Sequence, residues 1–174
     1  MSSTSQLPSC AARTITLTSA TKAFNLAGIR CAVAHLGPDR VLEARDAQPS
    51  ELFGQPSNLS VAATLAAWQA GGPWLAAALA YLQANRDHVA GALRSRFPGV
   101  RHHPPEGTYL SWLDLRGIGL GAEPAAVVLD RARVAVGRGS DFGPGGAGFV
   151  RLNFATSRGL LDEILDRLAT VAGT

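Results

Sequence analysis

The chain has 174 residues, of which 47% are hydrophobic and 17% charged, with a net charge of +3. This describes a folded chain of one ordinary domain, or one and a half small ones, and excludes an intrinsically disordered protein. The cations are dispersed and often neighboured by acids, as at Asp39/Arg40, Arg86/Asp87 and Asp166/Arg167. That pattern argues against a nucleic-acid partner.

Residues 1–12 read as a ragged polar leader with no secretion signal. Arg13 to Thr18 alternates polar and apolar residues, which predicts a strand, and Ile29 to Leu36 predicts a second one ended by Gly37-Pro38. Pro38 to Ala47 predicts a short helix. Asn58 or Ser60 is a candidate N-cap for a helix that runs to Ala70 and stops at Gly71-Gly72-Pro73.

Pro73 opens a long helix to about Phe97, with Trp74, Leu75, Leu79, Leu82, Val89 and Leu93 as its apolar face. Strands are expected near Val100–His102, Tyr109–Leu115, Val134–Val136 and Phe149–Phe154. Helices are expected near Pro124–Arg133 and Leu160–Val171, and Gly143 to Gly148 as a flexible loop or turn. The segment 72–84 is too short for a membrane span. Cys10 and Cys31 have neither metal spacing nor the numbers for a disulfide framework, so a reduced cytoplasmic protein with no metal site is expected.

Fifteen of the sixteen cationic side chains are arginine, and the single lysine is Lys22, in the loop between the first two predicted strands. Guanidinium holds its proton to pH above ~12, whereas an ε-amine can lose one and attack a carbonyl. Lys22 is therefore either a leftover cation on a solvated loop or a chemical group. Its companions are Ser19, three residues before, and Arg30, eight after. A hydroxyl and a guanidinium fork are suitable donors to phosphate oxygens, and a phosphorylated aldehyde needs both an amine and an anion site. A Ser/Thr-rich turn with an exposed arginine accounts for the same spacing.

Four segments in order carry a family resemblance. Ser19-Ala20-Thr21-Lys22-Ala23-Phe24-Asn25-Leu26-Ala27-Gly28-Ile29-Arg30 resembles the cofactor-lysine segment of fold-type I pyridoxal-phosphate enzymes of the class I/II aminotransferase family. Within that family, Lys22-Ala23-Phe24-Asn25 is most similar to the MalY/PatB-type cystathionine β-lyase branch. Glu106 to Asp114 resembles the small-domain strand, and Val136-Gly137-Arg138-Gly139-Ser140-Asp141-Phe142-Gly143 resembles a later loop. Phe149-Val150-Arg151-Leu152-Asn153-Phe154-Ala155 resembles the strand whose arginine grips the substrate carboxylate.

The resemblance implies an α/β fold, with a partial large domain over 13–72 followed by a small α+β domain over 73–174. It implies pyridoxal 5′-phosphate as cofactor and an amino acid as substrate. Lys22 would form the imine and move the Cα proton, Ser19 and Arg30 would hold the phosphate, and Arg151 would bind the carboxylate. Asn25 is expected to stabilise a turn. The expected reaction is C–S β-lysis or amino transfer, with a homodimer in the full-length form.

The family's full chains are longer, and the part before Lys22 carries the pyridine-nitrogen aspartate and most of the large sheet. A truncated chain, inactive alone, is one expectation, and a non-catalytic interaction or dimerisation protein is the alternative. His35, His88, His102 and His103 are expected to be structural, with His102-His103 in a surface loop. Tyr109 and Trp112 are expected as core or rim packing, and Arg138 and Arg158 as solvated surface.

Overall fold

The computed structural model describes residues 8–172, so most of the expected leader lies outside the described residues; Pro8–Ala11 forms a short helix, α1. The chain divides into two compact units, Met1–Ala77 and Ala78–Thr174.

In the first unit, β1 (Ile15–Thr18) and β2 (Val33–Leu36) pair antiparallel, with Thr18 opposite Val33. Their apolar side chains do not point into a core: Leu17 is 74% exposed and Ile15 51%. Helix α2 (Asp39–Asp46) follows, then a 3-10 turn at Ser50–Phe53 and helix α3 (Asn58–Ala70). The α3 cap is Ser57, rather than Asn58 or Ser60. Its extended backbone lets the hydroxyl accept from the Ser60 amide at 3.1 Å, satisfying a donor with no intrahelical partner. The Gly71 amide closes the helix on Ala67 O. Gly71 must lack a side chain, since a Cβ there would lie 2.6 Å from the Phe24 ring.

Helix α4 (Gly72–Arg96) begins as predicted at the Gly-Pro step. Its apolar face departs from expectation. Trp74 and Leu79 are half exposed, and burial begins only at Asn85, Val89, Ala90 and Leu93. Although long, α4 does not reach the apolar density of a membrane span, nor does any helix among the described residues.

The second unit holds a four-stranded antiparallel sheet in the order β3 (Arg101–His102), β4 (Leu110–Asp114), β6 (Phe149–Asn153), β5 (Gly137–Arg138). Helices α5 (Pro124–Ala132) and α6 (Arg158–Ala172) share a core with the second half of α4. That core includes Val89 and Leu93 of α4, Leu113 of β4, Val128 of α5, Val150 and Leu152 of β6, and Leu161 and Leu165 of α6. Apolar residues alternate along β4 and β6, so Leu113 and Val150 pair on the buried face.

Two details set the outer boundaries of this sheet. Arg133 takes a left-handed backbone (φ 57°) that ends α5, and Val134 turns inward to bury. The strand expected at Val134–Val136 therefore forms further along, at Gly137–Arg138. The glycine-rich segment, expected as a loop or turn, contains a 3-10 turn at Pro144–Gly146, preceded by another at Gly139–Phe142. The buried Asn85 side chain donates to the carbonyls of Phe154 and Thr156, each at 2.9 Å, latching α4 to the chain that leaves β6.

Candidate functional site

Lys22 lies on the connection between β1 and β2, as the strand pattern predicts. Pairing of Thr18 with Val33 closes the base of this connection, and two side-chain bonds tie its two limbs together above the base. Ser19 Oγ donates to the Cys31 carbonyl at 2.8 Å and lies 2.7 Å from Thr21 Oγ1. Thr21 Oγ1 in turn reaches the Ile29 carbonyl at 3.2 Å. These bonds bring Ser19 beside the peptide that follows Cys31.

The limb carrying Lys22 is a single helical turn. The Phe24 amide bonds Ala20 O at 3.0 Å, and the Leu26 amide reaches back to Thr21 O at 2.9 Å. Asn25, with φ 53°, occupies the left-handed position that such a helix stop requires. This agrees with its expected turn role. The turn is anchored by buried Ala20 and by Phe24, whose ring stacks on Trp74 with centroids 6.3 Å apart. Lys22 and Arg30 both project into solvent. Among the described residues neither is ion-paired, although other exposed arginines, such as Arg96 with Asp166 at 2.7 Å, find an acid.

The loop thus presents two unneutralised cations on a frame braced by its own hydroxyls. That combination fits an anionic phosphorylated ligand. The Ser19 hydroxyl proton is engaged with the loop's own acceptors, so Ser19 shapes the loop in this structure as well as lining it.

Arg151 belongs to the second unit, in the middle of β6 on the face opposite the core. It is half-buried and pairs in register with Trp112 of β4 and Gly137 of β5. Its guanidinium carbon lies 4.5 Å from the Phe142 ring centroid, within cation–π range. Phe142 meets Trp112 edge-on at 5.6 Å, and Trp112 stacks on Phe149 at 5.5 Å. A second arginine, Arg116, lies over the far side of this cluster, 4.8 Å from the Phe149 centroid.

The two arginines differ in their acids. Arg116 grips Asp114 with a two-pronged contact, Nε to Oδ1 at 2.9 Å and Nη2 to Oδ2 at 2.8 Å. That hydrogen bonding holds the Asp114 carboxyl at about 2, well below the usual carboxylate range, against the opposing effect of its burial. Among the described residues Arg151 has no carboxylate. A planar guanidinium backed by an aromatic ring keeps its donor edges available for bidentate recognition.

Arg151 was expected on a carboxylate-gripping strand, and the aromatic setting around it was not expected. Trp112, expected as core or rim packing, stands on the outer face of the sheet and is more than one-third exposed. Phe142 enters the sequence only as part of a motif. The alternation of Phe149 and Arg151 was the available signal that an aromatic ring shares the arginine's face. His102, expected in a surface loop, is instead the last residue of β3 and half-buried, with Nε2 unpartnered. Burial, followed by the charges of His103 and Arg94, lowers its pKa. His88 bonds Asp162 at 2.5 Å. Arg138 is an exposed cation 3.7 Å from Glu123 and 3.6 Å from Asp141, in keeping with solvated surface. Among the described residues no cluster of acids, histidines and cysteines has the make-up of a metal site.

Comparison with known proteins bears on both segments together. The sequence profile described as Aminotransferase class I and II matches residues 4–168. A Mycobacterium leprae protein, "Putative cystathionine beta-lyase" by name, is 41% identical over 165 residues, covering 87% of this chain and 41% of its own. Cystathionine beta-lyase PatB of Bacillus subtilis is 34% identical over 157 residues, covering 88% of this chain and 40% of its own. The crystal structure of the PLP-bound C-S lyase from Staphylococcus hominis superimposes with a TM-score of 0.83 at 29% identity, over 92% of this chain and 41% of that one. This chain spans about two-fifths of the length of the curated relatives it matches. Its fold is part of the pyridoxal-phosphate-dependent aminotransferase α/β fold, and the chain belongs to the class I and II aminotransferase family.

Proposed function

We propose that this chain carries the lysine-bearing and carboxylate-binding segments of a pyridoxal-phosphate-dependent amino-acid enzyme, with C–S β-lysis ahead of amino transfer. The observation that carries the reading is the braced β1–β2 loop, which sets the single lysine, Lys22, on the same frame as Ser19 and Arg30, a cation with no ion pair among the described residues. The names of the M. leprae and B. subtilis relatives favour the lyase.

When bound, pyridoxal phosphate supplies a conjugated electron sink that lowers the cost of breaking a bond at the substrate Cα. Arg30 would hold the phosphate through charge-assisted hydrogen bonds, and Ser19 would contribute its hydroxyl while keeping the loop limbs aligned. Lys22 Nζ would hold the aldehyde end of the cofactor and would serve as the base at the substrate Cα. Arg151 would bind the substrate carboxylate through two parallel N–H···O bonds. For β-lysis Lys22 would keep the Cα proton while a thiolate left from Cβ, whereas for amino transfer Lys22 would hand that proton on.

Purified chain mixed with pyridoxal phosphate and reduced with borohydride should be labelled at Lys22, and Lys22→Arg should abolish that label. With one lysine in the sequence, background is confined to the terminal amine. Arg30→Ala should weaken labelling about tenfold, the effect expected for loss of a charged hydrogen bond. Equal labelling of Lys22 in urea-unfolded chain would remove the site. Formation of pyruvate, ammonia and thiol from cystathionine would mark the lyase, and transfer dependent on a 2-oxo acid would mark the transaminase.

A second reading, self-association or an interaction role, rests on a different observation. Leu17, Leu52, Leu59 and Phe53 are all at least 60% exposed in the first unit. Sedimentation showing a monomer at all accessible concentrations would remove the self-association form.

A further inference from the structure

On the outer face of the sheet, six side chains form one continuous ladder: Asp114, Arg116, Phe149, Trp112, Phe142 and Arg151. The ladder is chemically asymmetric. At one end the guanidinium of Arg116 is held twice, by the Phe149 ring and by Asp114. At the other end Arg151 is held by a ring alone. A long side chain held by a single contact would ordinarily retain much of its rotamer freedom, which ligand binding must then overcome.

Two features restrict Arg151. The guanidinium carbon lies over the Phe142 ring, and Phe142 in turn meets the edge of Trp112, the cross-strand neighbour of Arg151. On the other strand, Gly137 stands opposite Arg151, and a Cβ there would come within 3.3 Å of Arg151 Nε. The missing side chain lets the arginine lie across β5, in the slot that Phe142 bounds.

We propose that Phe142, braced by Trp112, is the positioning residue that holds the Arg151 guanidinium flat and aims its open edge at a substrate carboxylate. The carboxylate part rests on the function proposed above; the ordering of Arg151 by Phe142 does not. The ring supplies no hydrogen bond to a ligand, so its contribution is preorganisation: it reduces what binding must order.

The test uses side-chain 15N–1H NMR of the full 174-residue chain. In the unliganded chain the Arg151 Nε–Hε group should be rigid and ring-current shifted. Phe142→Leu should collapse that shift and lower the order parameter to the flexible range, below about 0.6. Phe142→Tyr should restore both. Thermal melts and the Arg116 Nε signal should stay as in wild type, which separates lost positioning from lost folding. An Arg151 order parameter unchanged in Phe142→Leu would overturn the proposal. If Phe142→Leu perturbs the whole sheet, Gly137→Ala is the second probe, and it should displace the Arg151 signal while leaving that of Arg116. An unmoved Arg151 signal there would count equally against the slot.

Titration with propionate then reads the carboxylate role. Binding at Arg151 should weaken about two- to fivefold in Phe142→Leu, the fold-change of an exposed cation–π contact. Equal propionate affinity in the two proteins would overturn the aiming role. A rigid Arg151 that ignores propionate in wild type would overturn the carboxylate assignment while leaving the ordering by Phe142 intact.

Discussion

In Ala78–Thr174 a sheet and three helices enclose a continuous aliphatic core, whereas in the first unit only Ala20, Ser60 and Thr64 are buried among the described residues. Both units contain helices with proper ends and strands in register. The difference teaches that capping and pairing are local, while stability comes from apolar surface removed from water. A two-stranded ribbon with Leu17 and Ile15 in solvent has little of that term. The elements of the first unit are therefore expected at the low end of local stability, and the second unit at the global value.

The largest effect that would sharpen this contrast is a cavity. Leu165→Ala, at a fully buried position of α6, should destabilise the second unit by about 2–5 kcal/mol in denaturant unfolding. Leu17→Ala, at 74% exposure, should stay within about 0.5 kcal/mol. Comparable losses at the two positions would break the comparison. Next in size is Asn85→Ala. It leaves the Phe154 and Thr156 carbonyls without their donor and should cost about 1–3 kcal/mol, read from the same unfolding curves.

A smaller, pH-dependent effect should come from Asp114. Its folded pKa, about 2, lies below its ordinary value of 3.8. The unfolded state thus binds the proton more readily, and the stabilisation is complete above about pH 4 and is lost as pH falls towards 2. Arg116 is largely in solvent, so screening keeps this contribution below that of the core and latch substitutions. Asp114→Asn should remove that slope between pH 4 and 2 in thermal melts, and an unchanged slope would remove the assignment.

The smallest change is local to the first unit. Ser19→Ala removes the tie to Cys31 and should speed exchange of the Leu26 and Cys31 amides by about fivefold, without moving the denaturation midpoint of the second unit. Unaltered exchange would mean that strand pairing alone closes the Lys22 loop.

Much of the fold was legible because its signals are local. The Gly71-Gly72-Pro73 step marks the α3–α4 break, and the alternation through Leu113 and through Val150 and Leu152 marks the buried faces of β4 and β6. The α4 face was misread towards its start because periodicity reports which residues could be buried together, not whether anything covers them. Trp74 and Leu79 satisfy the period and remain half exposed. The strand expected at Val134–Val136 was displaced by the left-handed Arg133, a conformation that propensity does not foretell.

The candidate site divides along the same line. Lys22 and Ser19 fall in the loop that the residue order predicts, whereas Arg30, expected inside the strand Ile29–Leu36, lies on the same connection because β2 begins only at Val33. The sequence also determined the family, because four ordered segments keep its pattern. Only the tertiary structure decided that Ser19 ties the loop to Cys31, that Arg116 has an acid while Arg151 has a ring, and that Trp112 faces outward. Those facts depend on which strands pair and in what register. A shift of one residue would move every side chain on a strand to the other face.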